Sequence, residues 1–203
     1  MIAVIDYGVG NLFSIQSSFA RIGAEAVVTS DKKIIQNADR IMLPGVGAFE
    51  DAAKKLRETG LGELVINEVK KGKYLLGICL GMQMLFEKSF EYGEHKGLGL
   101  LQGEVVPLRG YVNEDLKVPH IGWNGLHIER ENRLLKYCKE GDCVYFVHSY
   151  HAANCGATLI ATTEYDKPVT AAVEKENIVG CQFHPEKSGE VGLHILKAFC
   201  EMK

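Results

Sequence analysis

The sequence predicts an α/β protein in three layers: a mostly parallel central sheet with helices on both faces, extended by antiparallel strands in its second half. Three observations predict it. Short apolar runs alternate with amphipathic helical stretches over roughly the first 90 residues, the pattern of parallel βαβ units. Those runs are apolar at nearly every position, as strands covered on both faces are. From Glu104 onward the helical stretches give way to strands joined by turns. The chain has 203 residues. At roughly 100–200 residues per domain, that is read as one domain over residues 1–203.

The elements follow in order. Ile2-Ala3-Val4-Ile5 suits a buried strand. Tyr7-Gly8-Val9-Gly10 makes a turn, and Asn11 is a good N-cap. Leu12, Ile15, Phe19 and Ile22 form one stripe of an amphipathic helix that stops at Gly23. Ala26 to Thr29 and Arg40 to Leu43 read as the second and third strands, the latter broken by Pro44-Gly45-Val46-Gly47. Helical patterns span Ala48 to Arg57 and Leu61 to Lys71. Tyr74 to Ile78 is again a buried strand, with helix-like spacing resuming after Cys79. Strands then follow at Glu104 to Val106, Leu126 to Ile128, Cys143 to Val147, Leu159 to Thr163, Val169 to Val173 and Ile178 to Phe183. Lys175-Glu176-Asn177 falls where a hairpin turn belongs. Gly189 to Met202 closes the chain as a helix, with Val191, Ile195, Ala198 and Met202 on one stripe.

Composition narrows the function classes. Lys plus Arg number 23 against 26 Asp plus Glu, a formal net charge of −3. Without a basic excess, neither nucleic acid nor an anionic membrane is expected as the main partner. The most apolar stretch, Tyr74 to Phe86, runs about 13 residues, short of the roughly 20 that a membrane helix needs. The start has no basic region before Asp6, so no signal peptide is read. The 6 cysteines include no Cys-x-x-Cys pair. A zinc site is therefore not expected, and most of the thiols read as reduced core residues of a cytoplasmic protein.

Gly77-Ile78-Cys79-Leu80-Gly81 follows an apolar strand and opens a helix. This is the nucleophile-elbow pattern with Cys in place of Ser. Small residues flank the nucleophile because the turn is tight, and the helix N-terminus favours a thiolate. Taken alone, Cys79 reads equally well as a small buried hydrophobe. A thiolate needs a base, and of the 7 histidines His184 stands out, in Gln182-Phe183-His184-Pro185-Glu186. Residues two apart in an extended chain share a face, so Glu186 is placed to orient His184 as the third member of a triad does. Pro185 is expected to keep that segment extended.

Other motifs are weaker. His148-Ser149-Tyr150-His151 has no adjacent carboxylate or Cys, which argues against a metal. Gly8-x-Gly10 hints at a dinucleotide loop with Asp31 as the ribose acid, but Phe13 occupies the third glycine position, and a plain βα turn is favoured. Lys54-Lys55 and Lys70-Lys71 read as solvated helix faces.

Pro44-Gly45-Val46-Gly47, Gly77 to Gln83 and Gln182 to Glu186 resemble, in the same order, the motifs of class I glutamine amidotransferases. Asp6-Tyr7-Gly8-Val9-Gly10-Asn11, Pro119 to Asn124, Tyr145 to Tyr150 and Lys187-Ser188-Gly189 are similar to those of the glutaminase subunits of imidazole glycerol phosphate synthases. The resemblance covers nearly the whole chain. It implies a flavodoxin-like sheet, with Cys79 as nucleophile, His184 as acid and base, and Glu186 as its orienter. It implies an oxyanion hole from the N–H groups of Val46 and Leu80, and an L-glutamine pocket lined by Gly47, Gln83, Ser149 and Tyr150. No cofactor and no metal are implied. The partner would be a (β/α)₈-barrel cyclase that uses the ammonia to make imidazole glycerol phosphate and a purine precursor in histidine synthesis. Trp123, Asn124 and Lys187 are candidates for the docking face, although a lone Trp is as readily a core residue. Three alternatives stay open on sequence: a paralogous glutaminase serving modified sugars, a free-standing Cys–His hydrolase, and a module without catalysis.

Overall fold

The structure, a computed structural model, describes residues Met1–Lys203. Strands β1 (Ile2–Ile5), β2 (Ala26–Thr29), β3 (Arg40–Leu43) and β4 (Tyr74–Ile78) fall on the ranges read from the sequence. Helices α1 (Leu12–Arg21), α2 (Lys32–Asn37), α3 (Phe49–Glu58) and α4 (Leu61–Lys70) lie between them. Asn11 caps α1, accepting from the Ser14 N–H at 3.5 Å. Helix α2, with 6 residues, is too short to show an apolar stripe in sequence. Its signal is Asp31, whose carboxylate accepts from the Lys33 and Ile34 N–H groups. Asp31 is thus a helix cap.

After Cys79 the expected helix lasts one turn, α5 (Leu80–Gln83). The Leu85 and Phe86 N–H groups bond carbonyls three residues back, at Met82 and Gln83, which tightens and ends it. The second half carries β5 (Lys88–Ser89), β6 (His95–Lys96), β7 (Glu104–Pro107), β8 (His120–Ile128), β9 (Cys143–His148), β10 (Tyr150–Ala153), β11 (Leu159–Tyr165), β12 (Lys167–Lys175) and β13 (Ile178–Cys181). Helix α6 (Gly189–Cys200) closes the chain. Strand β8 starts six residues before the expected Leu126, because pairing from His120↔His148 to Gly125↔Cys143 extends it. Gly122, Asn124 and Gly125 are poor strand formers, so only the partner strand reveals this stretch.

The large sheet has nine strands in the order β2-β1-β3-β4-β13-β12-β11-β8-β9. Neighbours from β2 to β13 are parallel, and from β13 to β9 antiparallel. The antiparallel half therefore prolongs the parallel one. A four-stranded sheet, β10-β7-β5-β6, stands beside it. Alternate strand residues face opposite layers. Ala3, Ile5, Ile41, Leu43 and Leu75 pack with residues of α2, α3 and α4, while Ile2, Val4, Met42, Leu76 and Ile78 pack with α1 and α6. No helix is long and apolar enough to cross a membrane.

One pairing positions the chemistry. Strand β13 lies parallel to β4 with Cys181 opposite Ile78, and the Cys79 N–H donates to the Cys181 carbonyl at 2.8 Å. The chain therefore leaves the sheet at Cys79 and again near His184 from neighbouring strands, at their carboxyl ends, where sites of open α/β sheets form.

Candidate active site

Cys79 sits between β4 and α5 with φ 53° and ψ −112°, a strained conformation for a residue with a Cβ. The neighbouring glycines are required by contact. A Cβ on Gly77 would lie 2.8 Å from the Gly81 carbonyl oxygen, and one on Gly81 would lie 1.9 Å from the Leu43 carbonyl oxygen. Leu80 opens α5, so its N–H is one of the helix's unbonded first-turn donors. The Pro44–Gly47 loop lies directly against this elbow, since a Cβ on Gly45 would be 2.8 Å from the Gly81 nitrogen. Val46 and Leu80 thereby come to line the same cleft as Cys79.

His184 is positioned by a small network. Its N–H donates to the Tyr145 carbonyl at 2.9 Å, while Ser188 Oγ donates to the His184 carbonyl at 2.7 Å and accepts from the Tyr145 N–H at 2.9 Å. Its Nδ1 is 2.7 Å from Glu186 Oε1, with both side chains buried at 3% and 1% exposure. The route differs from expectation. Residues Pro185–Lys187 form a 3₁₀ turn, not an extended segment, and the turn folds Glu186 back to the imidazole. A Cβ on Gly192 would lie 1.9 Å from the Pro185 carbonyl oxygen, so α6 packs hard against that turn. Burial pulls the His184 pKa down, but hydrogen bonding and charge from Cys79 and Glu186 more than offset it, and the value is raised to about 9. The imidazole is thus charged at neutral pH. Glu186 Oε2 is buried without a hydrogen-bond partner.

Around the thiol is a cleft of about 310 Å³, near the lower end of the roughly 300–1,000 Å³ typical of small-molecule sites. Gly47, Gln83, Ser149, Tyr150 and Lys187 all line it. Ser149 and Tyr150 reach it because the chain bends there, leaving the large sheet at the end of β9 and entering the small one as β10. Gln83 is 5% exposed, and its amide nitrogen donates to the Tyr150 carbonyl at 3.0 Å and to Gln182 Oε1 at 2.9 Å. Trp123 and Asn124 stand apart from the cleft on β8. Trp123 is 54% exposed and edge-on to Tyr145, with ring centroids 6.0 Å apart. That decides against a core role. The Asn124 amide donates to the Glu164 carbonyl at 2.8 Å, and Lys187 Nζ lies 5.7 Å from the Tyr145 ring centroid.

Residues 3–202 match the family "Glutamine amidotransferase class-I". The chain belongs to the class I glutamine amidotransferases. It is 50% identical over 203 residues to the imidazole glycerol phosphate synthase subunit HisH of Caldanaerobacter subterraneus subsp. tengcongensis, covering 100% of this chain and 98% of the relative. It is 45% identical to HisH of Wolinella succinogenes over 100% of both chains, and 48% identical to HisH of Aquifex aeolicus over 97% and 94%. Among solved structures, a glutamine amidotransferase superposes with a TM-score of 0.76 at 20% identity, covering 98% of this chain and 100% of that one. PurLQS from Thermotoga maritima superposes at 0.73 and 20%, covering 98% and 96%. These two likenesses bear on the fold.

The cleft of this class I glutamine amidotransferase also holds residues that no sequence motif marks as lining it. Glu91 lines it from the β5–β6 hairpin while its Oε2 accepts the Phe49 N–H at 2.7 Å, at the start of α3. Burial raises its pKa, partly offset by that N–H. Two-residue strands carry no periodic signal, so nothing in the sequence placed Glu91 there. His148 also lines the cleft and is within 3.1 Å of His120 Nδ1. Burial depresses the His148 pKa to about 3, so it is neutral. Its Nδ1 faces the Tyr150 carbonyl at 2.8 Å and must carry the proton, which leaves Nε2 to accept from His120. The two histidines thus hold β8, β9 and the Tyr150 bend together.

Proposed function

We propose that this chain is the glutaminase subunit of an imidazole glycerol phosphate synthase. It hydrolyses L-glutamine and supplies ammonia to a (β/α)₈-barrel cyclase, which makes imidazole glycerol phosphate and a purine precursor in histidine biosynthesis. The observation that carries the reading is the strained Cys79 elbow sharing a small cleft with the buried, hydrogen-bonded His184–Glu186 pair. The full-length likeness to HisH proteins supports the choice of acceptor pathway. All 6 cysteines are free thiols, which supports a reducing, cytoplasmic setting.

Cys79 Sγ attacks the side-chain amide carbon of glutamine. The resulting oxyanion is received by the N–H groups of Leu80 and Val46, and one such donor is commonly worth about 10²–10³ in rate. His184, charged at neutral pH, protonates the departing nitrogen, so ammonia leaves and a glutamyl thioester remains. Neutral His184 then takes a proton from water as it attacks the thioester, and glutamate and the thiol are released. Glu186 keeps the imidazole oriented and stabilises its charged form. Gly47, Gln83, Ser149 and Tyr150 shape the pocket. Glu91, an acidic side chain in the cleft wall, fits the α-ammonium group of the substrate.

The cyclase docks on the face carrying Trp123, Asn124 and Lys187. Ile121 is 59% and Trp123 54% exposed on the outer face of β8, an apolar patch of the kind that marks an interface. Lys187 lines the cleft and its Nζ stands over the Tyr145 ring, which is in turn edge-on to Trp123. Docking and catalysis thus share one continuous set of side chains.

Glutamine hydrolysis measured with and without a co-expressed barrel subunit tests the reading. A large increase on adding the barrel is expected, as is rescue of a histidine auxotroph lacking its glutaminase subunit. Cys79→Ala should abolish glutamine-driven synthase turnover and spare turnover on free ammonia. Failure of a glutamine-like electrophile to label Cys79, with or without the barrel, would sink the assignment.

A further inference from the structure

Gln182 is completely buried, and its amide nitrogen lies 3.6 Å from Cys79 Sγ. Which end of that amide faces the sulfur is decided by a neighbouring chain of bonds. A backbone carbonyl only accepts, so the Tyr150 carbonyl, 3.0 Å from Gln83 Nε2, requires the Gln83 nitrogen on its side. The second N–H of Gln83 then points to Gln182, 2.9 Å away, where it must meet an oxygen. The Gln182 nitrogen is left facing Sγ. Orientation therefore passes from the Tyr150 carbonyl through Gln83 and Gln182 to the sulfur. The Val147 carbonyl, 4.0 Å from Sγ, is positioned to accept from the neutral thiol.

We propose that Gln182 is a positioning residue for the nucleophile, donating an N–H to Cys79 Sγ and favouring its thiolate in an attack-ready rotamer, with Gln83 locking the direction of that donor. The proposal rests on the reading of Cys79 as nucleophile. A hydrogen bond to the charged form of a group favours that form, and one to a thiolate is charge-assisted. Placement follows from the fold. Gln182 and His184 are two residues apart as the chain leaves β13, so one segment supplies both the donor and the imidazole to the thiol presented by β4. The far end of the relay is the Tyr150 bend, a wall of the cleft, so movement of that wall is transmitted to the sulfur.

The test measures iodoacetamide alkylation of Cys79 in the full chain against pH, read by peptide mass spectrometry, with glutamine kinetics and thermal unfolding alongside. Gln182→Leu removes the donor, and Gln182→Glu keeps the shape while presenting oxygen to the sulfur. Both alkylation profiles should move to higher pH by about one unit, further for Glu, with kcat falling about tenfold and KM changing much less. Gln83→Met, which leaves Gln182 in place but frees its amide to rotate, should move the profile the same way by a smaller amount. That variant carries the test if the Gln182 variants do not fold. Unchanged profiles in the folded variants overturn the proposal. In the unsubstituted protein, alkylation of Cys79 no faster than that of exposed Cys143 would instead overturn the nucleophile reading.

Discussion

The Tyr7 hydroxyl donates a 2.7 Å hydrogen bond to the carbonyl of Pro44. The two residues follow adjacent parallel strands, β1 and β3, and the bond ties the start of the Pro44–Gly47 loop to the sheet. Tyr7 is 5% exposed, and burial, with the Cys79 charge adding to it, raises its pKa so that it stays a donor. The loop's outer end is free by contrast. Val46 is 41% exposed, and Gly47 has φ +95° with nothing within 4 Å of a Cβ built on it. One end of the loop is pinned by a buried hydrogen bond and the other stands exposed. Tyr7→Phe should cost about 1 kcal/mol in unfolding free energy and lower glutaminase kcat severalfold at unchanged docking affinity. Denaturant unfolding and steady-state kinetics read the two effects separately.

Glu91 should discriminate the substrate's amino end. Glu91→Gln retains an oxygen for the Phe49 N–H, so stability should change by less than about 1 kcal/mol. The KM for glutamine should rise about tenfold or more while kcat stays within a few-fold. An unchanged KM would remove Glu91 from substrate recognition.

Stability should fall on both sides of a mildly acidic optimum. His184 is raised from 6.5 to about 9, so the stability its charged form contributes is complete below pH 6.5 and is lost as pH rises through about 9. At 1.36 kcal/mol per unit, that is roughly 3 kcal/mol. Burial lowers His148 to about 3 and His151 to about 4, so stability is also lost as pH falls below 6.5 toward those values. Melting temperature against pH should therefore peak near 6.5, and Glu186→Gln should flatten the alkaline limb. A flat profile from pH 6.5 to 9.5 in the unsubstituted protein would contradict a charged His184.

Gly81→Ala should prevent normal folding. The added Cβ would stand 1.9 Å from a backbone oxygen of β3, which no side-chain rotation relieves. A loss of at least about 3 kcal/mol is expected by thermal or denaturant unfolding. Gly125→Ala, where the nearest atom would be 3.3 Å away, serves as the milder comparison.

Trp123→Ala should weaken association with the proposed cyclase subunit by tenfold or more and leave the melting temperature nearly unchanged, because the ring is half exposed. Titration calorimetry on the two purified subunits measures this directly.

The first four strands were legible because each is a short run buried on both faces and bounded by turn residues. The elbow was legible too, since Gly77, Cys79 and Gly81 sit where a tight strand-to-helix turn demands small residues. What escaped were elements whose reason for existing lies elsewhere in the chain. The first half of β8 is held by β9, β5 and β6 are too short for a period, and Glu91 reaches the cleft from the tip between them. Even where the sequence pointed to the right neighbours, as with His184 and Glu186, it suggested an extended segment where packing of α6 on Pro185 imposes a 3₁₀ turn.

By itself, then, the sequence determined the α/β class, the elbow at Cys79 and the family resemblance, all of which are local patterns of size, polarity and spacing. Only the tertiary structure decided that β13 lies beside β4, that the Gln182 amide faces the sulfur, and that Trp123 stands on the surface. Strand order and buried hydrogen-bond direction depend on pairings across a hundred residues, and no local spacing encodes those.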